Sequence, residues 1–326
     1  MLLAMSMVTF LLFFAGGDPS RSLCTRQCTP ERIEGISKQL GYNQPITTQY
    51  GQFLKGLVAG REFPSDPEYR ETLKKTHPEL LTECAAPCLG YSESNQKTVN
   101  ELIKEAVPVT VSVSVVAFIL WITFGILLGV TAAVFKGSYL DRGLVGLTLV
   151  VYALPVFFVG GFLLKYVALK WQIVRYPEYI PLSEGPINWF MGLLLPAVTL
   201  ALFYMAAYVR MTRAFVLESM SEDYIRTAKA KGLKPRKILF KHGLRAALTP
   251  LVTMAGLDFA ALLAGAVITE NVFNFNGLGL LVVQSNGNKD LPTLVALVLL
   301  AGAVVIVMNI IVDILYAAID PRVRVG

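Results

Sequence analysis

The sequence predicts an all-α integral membrane protein with six spanning helices and a domain outside the bilayer after the first of them. Three observations carry this. Only 16% of the residues are charged and 54% are hydrophobic, whereas a soluble domain carries about 25% charged residues. The apolar residues are gathered into long uncharged runs rather than spread at a surface-helix period. One segment between two runs is intensely basic. A bilayer core of about 30 Å requires about 20 apolar residues in a helix, and in lipid only a helix or a closed barrel satisfies its own backbone hydrogen bonds.

Taken in order, Met1–Phe14 is apolar but short for a span, at about 1.5 Å per residue. It has no basic leader and no small-residue cleavage site before Gly16-Gly17-Asp18-Pro19. It reads as a first spanning helix, residues 1–16, rather than a signal peptide, with either its first turn or a basic cytoplasmic lead expected upstream of the assigned start. Residues 17–106 follow as a long, nearly neutral segment with helix-like stretches at Pro30–Leu40 and Thr47–Val58. All four cysteines lie there, as two C-x-x-x-C pairs: Cys24 with Cys28, and Cys84 with Cys88. An even cysteine count fits an oxidising compartment. Spacing of four places both sulfurs of a pair on one helical face. Of three possible pairings, the crossed one is favoured, Cys24 to Cys88 and Cys28 to Cys84, stapling residues 29–83. A metal or cluster site is the alternative, with no companion ligand pattern beyond the isolated His77.

The remaining five spans, within 107–326, are expected at Val111–Phe135, Leu144–Leu164, Trp189–Val209, Leu251–Ile268 and Leu294–Val312. Pro155, Pro196 and Pro250 are expected to kink or start helices. Asp258 interrupts the fourth of these runs. A carboxylate within a span is costly, by about 3 kcal/mol or more, unless it meets a cavity or a partner. Asp258 therefore reads either as part of a solute path or as a hydrogen bond to a neighbouring helix or subunit. Asn309 and Asp313 are expected to be structural, and Glu270 to cap or pair at the outer surface. No internal repeat or low-complexity stretch is present.

Arg210–Arg245 holds ten Lys/Arg and three acidic residues. By the positive-inside rule it is cytoplasmic. Counting outward places 17–106, 165–188 and 269–293 outside and Lys136–Arg142 inside. Both termini, including Asp320–Arg324, then lie inside. The net charge of +6 follows from this topology and requires no nucleic-acid partner. Within the basic loop, 210–247, Ser221–Pro235 reads as an amphipathic helix of about three turns. Ser221 can cap it. Glu222 and Asp223 suit its positive end, and Lys229 and Lys231 its negative end. Gly232 suits a left-handed stop, and Pro235 follows. Tyr224, Ile225 and Ala228 form a narrow apolar stripe. Such a helix could lie on anionic lipid. Because a second basic helix, from Arg236, runs straight into a span, a docking knob for a cytoplasmic partner is the stronger reading.

The stretch Asp223-Tyr-Ile-Arg-Thr-Ala-Lys-Ala-Lys-Gly-Leu, followed by His242-Gly-Leu-Arg-Ala-Ala-Leu-Thr-Pro250, resembles the cytoplasmic loop of binding-protein-dependent ABC permeases. The resemblance is to the first permease of the dipeptide/oligopeptide/nickel branch. Where the general family loop carries Glu-Ala-Ala, three residues and Gly, Arg226-Thr227-Ala228 precede Gly232 at that spacing. The likeness runs along nearly the whole chain. It includes Gly17-Asp18-Pro19, Leu40–Pro45, Thr98-Val99, Pro108-Val-Thr110, Glu270–Phe273, Gly277-Leu-Gly279, Asp313–Tyr316 and Asp320-Pro-Arg322. Three departures stand out. There is no basic N-terminal lead, Asn276 stands where the family has Pro, and 62–89 looks like an insertion.

The resemblance implies a type I ABC importer transmembrane subunit. It would pair with a second, similar permease, two cytoplasmic ATPases and an extracytoplasmic binding protein that delivers peptides. The chain contains no G-x-x-x-x-G-K-[ST] phosphate loop. No cofactor is therefore expected in this chain, with ATP and magnesium held by the partner ATPases, and no enzymatic activity of its own. Tyr224, Ile225, Arg226, Thr227, Ala228 and Gly232 are the expected docking residues. For Tyr224 and Ile225, packing on the chain's own helices is the competing reading. Nickel or another small solute on the same scaffold is the alternative cargo. It is disfavoured because neither of the two histidines lies in a span. An intramembrane protease would have to use Asp258 and Asp313, which fall at different depths. A membrane sensor or scaffold working through the outer cysteine segment is the remaining alternative.

Overall fold

A computed structural model of the chain describes residues 2–15, 20, 29–78, 81–263 and 266–319. Among these described residues, four helices are long and apolar enough to cross a membrane, or five if one bent pair is a single span. The chain divides into two compact units. The first comprises 1–108 and 276–303, the second 109–275 and 304–326.

The first unit begins with α1 (Leu2–Ala15), the short apolar helix expected at the N-terminus. Its Phe10 packs with Phe53, Leu291 and Val295. Helices α2 (Pro30–Leu40) and α3 (Ile46–Ala59) occupy the stretches that read as helical, and each ends on a glycine with positive φ, Gly41 and Gly60. Next come strand β1 (Arg61–Phe63), helix α4 (Pro67–Thr76) and strand β2 (Thr82–Cys84), with β1 and β2 antiparallel and Arg61 opposite Cys84. The Asp66 side chain accepts from the backbone N–H of Glu68 and Tyr69, capping α4. A second hairpin, β3 (Tyr91–Ser92) with β4 (Lys97–Thr98), leads into α5 (Val99–Val134). Helices α12 (Leu278–Gly287) and the start of α13 (Leu291–Ile319) complete the unit. Asp290 precedes α13 and accepts hydrogen bonds from the hydroxyls of Ser92 and Thr293.

The crossed disulfide pairing is corrected here. Cys84 and Cys88 are bonded to each other, with Cα atoms 5.4 Å apart. The segment runs out of β2 into an irregular turn, so the two sulfurs meet locally rather than lying on a helical face. The bridge therefore closes a short loop and staples no part of 29–83. Phe63 and Tyr91 stack at 5.5 Å beside it. Cys24, Cys28, the Gly17-Asp18-Pro19 motif and the basic C-terminal tail from Asp320 lie outside the described residues.

The second unit is a helical bundle. Helix α5 has 36 residues, about 54 Å at 1.5 Å per residue, and so exceeds the hydrocarbon thickness. Helix α6 (Tyr139–Ala153) and α7 (Val156–Lys170) meet at 99°. The uncharged run Leu144–Leu164, expected as one span with Pro155 kinking or starting a helix, is broken at Leu154-Pro155. Proline lacks the N–H that would continue α6 and sits at the start of α7. Helix α8 (Pro186–Ser219) contains Pro196, and α10 (Pro235–Leu263) contains Pro250. Between α8 and α10 lies α9 (Asp223–Ala230), and after α10 comes α11 (Val267–Phe273). Gly125 and Gly129, one turn apart, admit α8 against α5. A Cβ on Gly125 would come within 2.8 Å of Tyr208 Cβ, and one on Gly129 within 2.7 Å of the Val209 carbonyl. This is small-residue packing of the kind that joins helices in lipid. The core gathers around Trp121, Leu193, Tyr208, Leu251 and Phe273, all at most 2% exposed.

Candidate functional site

The polar end of the second unit is built around α9. The helix has eight residues, about two turns rather than three. Its N-cap is Glu222, which makes no side-chain cap. Ser221, expected to cap, instead donates its hydroxyl to the Glu218 carbonyl at 2.7 Å, closing the end of α8. Lys231 is the C-cap, and the chain turns away at Gly232, whose φ of +68° places it in the left-handed region glycine adopts freely. The two aliphatic residues of the expected docking stripe face inward. Ile225 is 0% and Ala228 7% exposed, and both pack on Ile238 of α10 with Met220 and Leu233 alongside. Both were expected among the docking residues; Ile225 takes the competing arrangement, packed on the chain's own helix, and Ala228 lies beside it.

Tyr224, Arg226, Thr227 and Gly232 remain exposed. The Tyr224 hydroxyl bonds with that of Ser219 at 2.7 Å, tying the ring to the last turn of α8. Arg226 pairs with Asp223 at 3.3 Å across an open surface, a contact worth little to stability. The Thr227 hydroxyl donates to the Asp223 carbonyl at 3.1 Å. Helix α9 therefore presents a polar outer face while two buried side chains hold it to the start of α10.

Beneath this lies a clamp that sequence reasoning missed. Arg213 of α8 grips Asp141 of α6 with two parallel bonds, Nε to Oδ1 at 2.6 Å and Nη2 to Oδ2 at 2.8 Å. Asp141 also accepts from the Gly137 N–H at 2.8 Å, and its own N–H donates to the Ser138 hydroxyl. Asp141 is 3% exposed. A buried carboxylate is tolerated when its lone pairs are filled and a counter-charge is bidentate, and both conditions hold. The local signal was the Ser138-Tyr-Leu-Asp141 spacing, which marks a helix start. Its partner 72 residues away carries no local mark.

Further along the bundle, Asp258 of α10 is half-buried, and its Oδ2 accepts from the Tyr208 hydroxyl at 2.6 Å. This is the hydrogen bond to a neighbouring helix that was one of its two readings. Tyr208 stands in an aromatic group. Trp121 stacks on Tyr204 at 4.5 Å, Phe118 meets Trp121 edge-on at 4.9 Å, and Phe118 lies 4.7 Å from Phe259. Glu270, expected at the outer surface, is 1% exposed and accepts from the Thr110 hydroxyl at 2.6 Å. Helix α11 is turned so that Glu270, with Thr269 and Phe273, faces into the bundle. Asn309 and Asp313 are exposed on α13.

Comparison with known proteins places this geometry. Residues 125–325 match the family described as binding-protein-dependent transport system inner membrane component, and residues 1–114 match the N-terminal region of such membrane components. A probable peptide ABC transporter permease protein of Sinorhizobium fredii is 33% identical, over 97% of this chain and 93% of its own length. A putative peptide transport system permease protein of Brucella abortus is 35% identical, over 99% and 95%. The dipeptide transport system permease protein DppB of Escherichia coli is 32% identical, over 94% and 90%. Among solved structures, a chain of the inward-facing MetNI methionine ABC transporter aligns with a TM-score of 0.55 at 18% identity, over 68% of this chain and 97% of that one. This is a likeness of fold alone. The chain belongs to the family of inner membrane components of binding-protein-dependent transport systems.

Proposed function

We propose that this chain is the permease subunit of an ATP-driven importer that carries di- or oligopeptides across the cytoplasmic membrane. The observation that carries the reading is likeness to peptide permeases over nearly the full length of both partners. In this reading α1 is the first of six spans, residues 17–106 form an extracytoplasmic domain, and both termini are cytoplasmic. The loop 210–247 docks a partner ATPase through the outward face of α9. Its contact residues are Tyr224, Arg226, Thr227 and Gly232, and Ile225 and Ala228 hold the helix in place. ATP and magnesium belong to the ATPases, and a binding protein delivers the peptide from outside.

A second, similar permease completes the path. The exposure of Asn309 and Asp313 in an otherwise apolar helix supports such a partner, since polar groups in a span favour protein over lipid. ATP-driven movement of α9 passes to α8 through the Tyr224–Ser219 bond and to α10 through Ile225 and Ile238. The Arg213–Asp141 clamp makes α6 move with α8. The bundle then rocks as rigid pieces between inward-open and outward-open states. Asp258 is the candidate polar group of the path, where its free oxygen would meet a peptide's amino end or backbone N–H.

The test is uptake by proteoliposomes holding both permeases and both ATPases, with the binding protein outside and ATP inside. ATP-dependent accumulation of labelled di- or tetrapeptide is expected. Accumulation of nickel without peptide would transfer the chain to the small-solute alternative. ATPase-independent behaviour of a stable complex would favour a sensor or scaffold.

A further inference from the structure

At the polar ends of three spans in the second unit lies an apolar groove of about 390 Å³. Its walls are Ala133 and Val134 from the last turn of α5, Val216 and Leu217 from the last turn of α8, and Leu239 from the beginning of α10. Its floor is the buried cluster of Ala133, Val216 and Ala247. Two cations, Lys136 and Arg236, line the groove together with Pro235 and Met220. Both are exposed, and neither is in an ion pair among the described residues. Phe135 and Phe240 are more than half exposed nearby.

The groove lies between the ends of three helices long and apolar enough to cross a bilayer, so in the membrane reading its apolar walls would meet acyl chains rather than water. The two cations at its mouth would then stand at the level of the lipid headgroups. Unpaired Lys and Arg at the mouth of an apolar slot between span ends match an anionic headgroup carrying hydrocarbon. They match a soluble anion poorly, since that would leave the walls uncovered. A zwitterionic lipid would fill the slot and leave the two charges unanswered.

We propose that this groove is a specific site for one anionic phospholipid, with an acyl chain against Val134, Leu217 and Leu239 and the phosphate between Lys136 and Arg236. The lipid would wedge the ends of α5 and α8 beside the start of α10, the helix on which α9 rests. The proposal relies on the cytoplasmic placement of this end given above.

The experiment counts lipids on the assembled transporter by native mass spectrometry, after titration with dioleoylphosphatidylglycerol or dioleoylphosphatidylcholine. Wild type is expected to keep one phosphatidylglycerol, roughly twentyfold or more in preference to phosphatidylcholine, from two cations at the headgroup. The pair Lys136→Gln and Arg236→Gln is expected to lose the preference while staying assembled. The pair Lys136→Arg and Arg236→Lys should keep it. Leu217→Trp, which fills the slot, should lose retention of both lipids. Equal retention of the two lipids by wild type, or an unchanged preference in the Gln pair, would overturn the site. So would loss of the ATPases from a Gln pair that still prefers phosphatidylglycerol, since the groove would then face a partner protein. Peptide uptake is no part of the readout, so this failure would leave the importer reading standing.

Discussion

Asp141 and Asp258 are both carboxylates on bundle helices, and their surroundings differ in kind. Asp141 has a bidentate arginine, a backbone N–H and a helix-capping serine around it. Among the described residues Asp258 has one tyrosine hydroxyl as its partner, and it is only half-buried. The first is a charge fully answered within the chain, which makes it a strut. The second is a charge partly answered, and an oxygen left over in a span is what a solute path can use. The same contrast runs through α9, where Ile225 and Ala228 are spent on packing while Arg226 and Thr227 are held only by weak local contacts. Fixed groups and available groups alternate along one short route from loop to bundle.

The contrast is broken most severely at Ile225. Ile225→Asp places an unpaired charge in a site with no solvent exposure and is expected to cost about 3–5 kcal/mol, releasing α9. Limited proteolysis should then cut the loop near Lys229, and the ATPases should fall away. Survival of an uncut loop would mean that α9 is not anchored by this side chain. Next comes the strut. Arg213→Met leaves Asp141 buried without its counter-charge and should lower the thermal midpoint clearly. Arg213→Lys should recover only part, because an ammonium cannot reproduce the two-bond fork. Full recovery by lysine would reduce the clamp to a simple charge effect.

The Cys84–Cys88 disulfide offers a gentler test. A loop this short contributes about 2 kcal/mol in the chain-entropy view, so Cys84→Ser with Cys88→Ser should weaken the first unit without unfolding it. Non-reducing peptide mapping should find Cys84 joined to Cys88, and a Cys28–Cys84 peptide would contradict the described fold. The smallest structural effect is expected at Asp258→Asn. The amide oxygen still accepts from Tyr208, so stability should change by less than about 1 kcal/mol. Peptide uptake should fall, while peptide-independent ATP hydrolysis persists. Unaltered uptake would return Asp258 to a purely structural role.

What the sequence could reveal followed from how local each signal is. Four of the long apolar runs, the helices α2 and α3, the glycine stop at Gly232 and the proline break at Pro155 rest on runs, caps and breakers within a few residues. All of these were legible. The rotation of a helix about its own axis was not. An apolar pair such as Ile225 and Ala228 reads alike whether it faces a partner or the chain's own Ile238, and only the path of α10 decides. Glu270 was misplaced for the same reason, since its partner Thr110 is 160 residues away. The Asp141–Arg213 pair was invisible because each half reads as one more charge near a membrane edge. The cysteines misled through an assumption of helix, where the chain in fact leaves a strand and turns.

The decisive measurement is peptide-stimulated ATP hydrolysis by the assembled transporter, comparing wild type with Arg226→Glu plus Thr227→Glu. These substitutions change the outward face of α9 and leave its buried anchor untouched. If that face couples the permease to its ATPase, stimulation should collapse by about tenfold or more while the permease pair and the fold of the loop remain intact. Stimulation at the wild-type level in an intact complex would contradict the coupling role of α9.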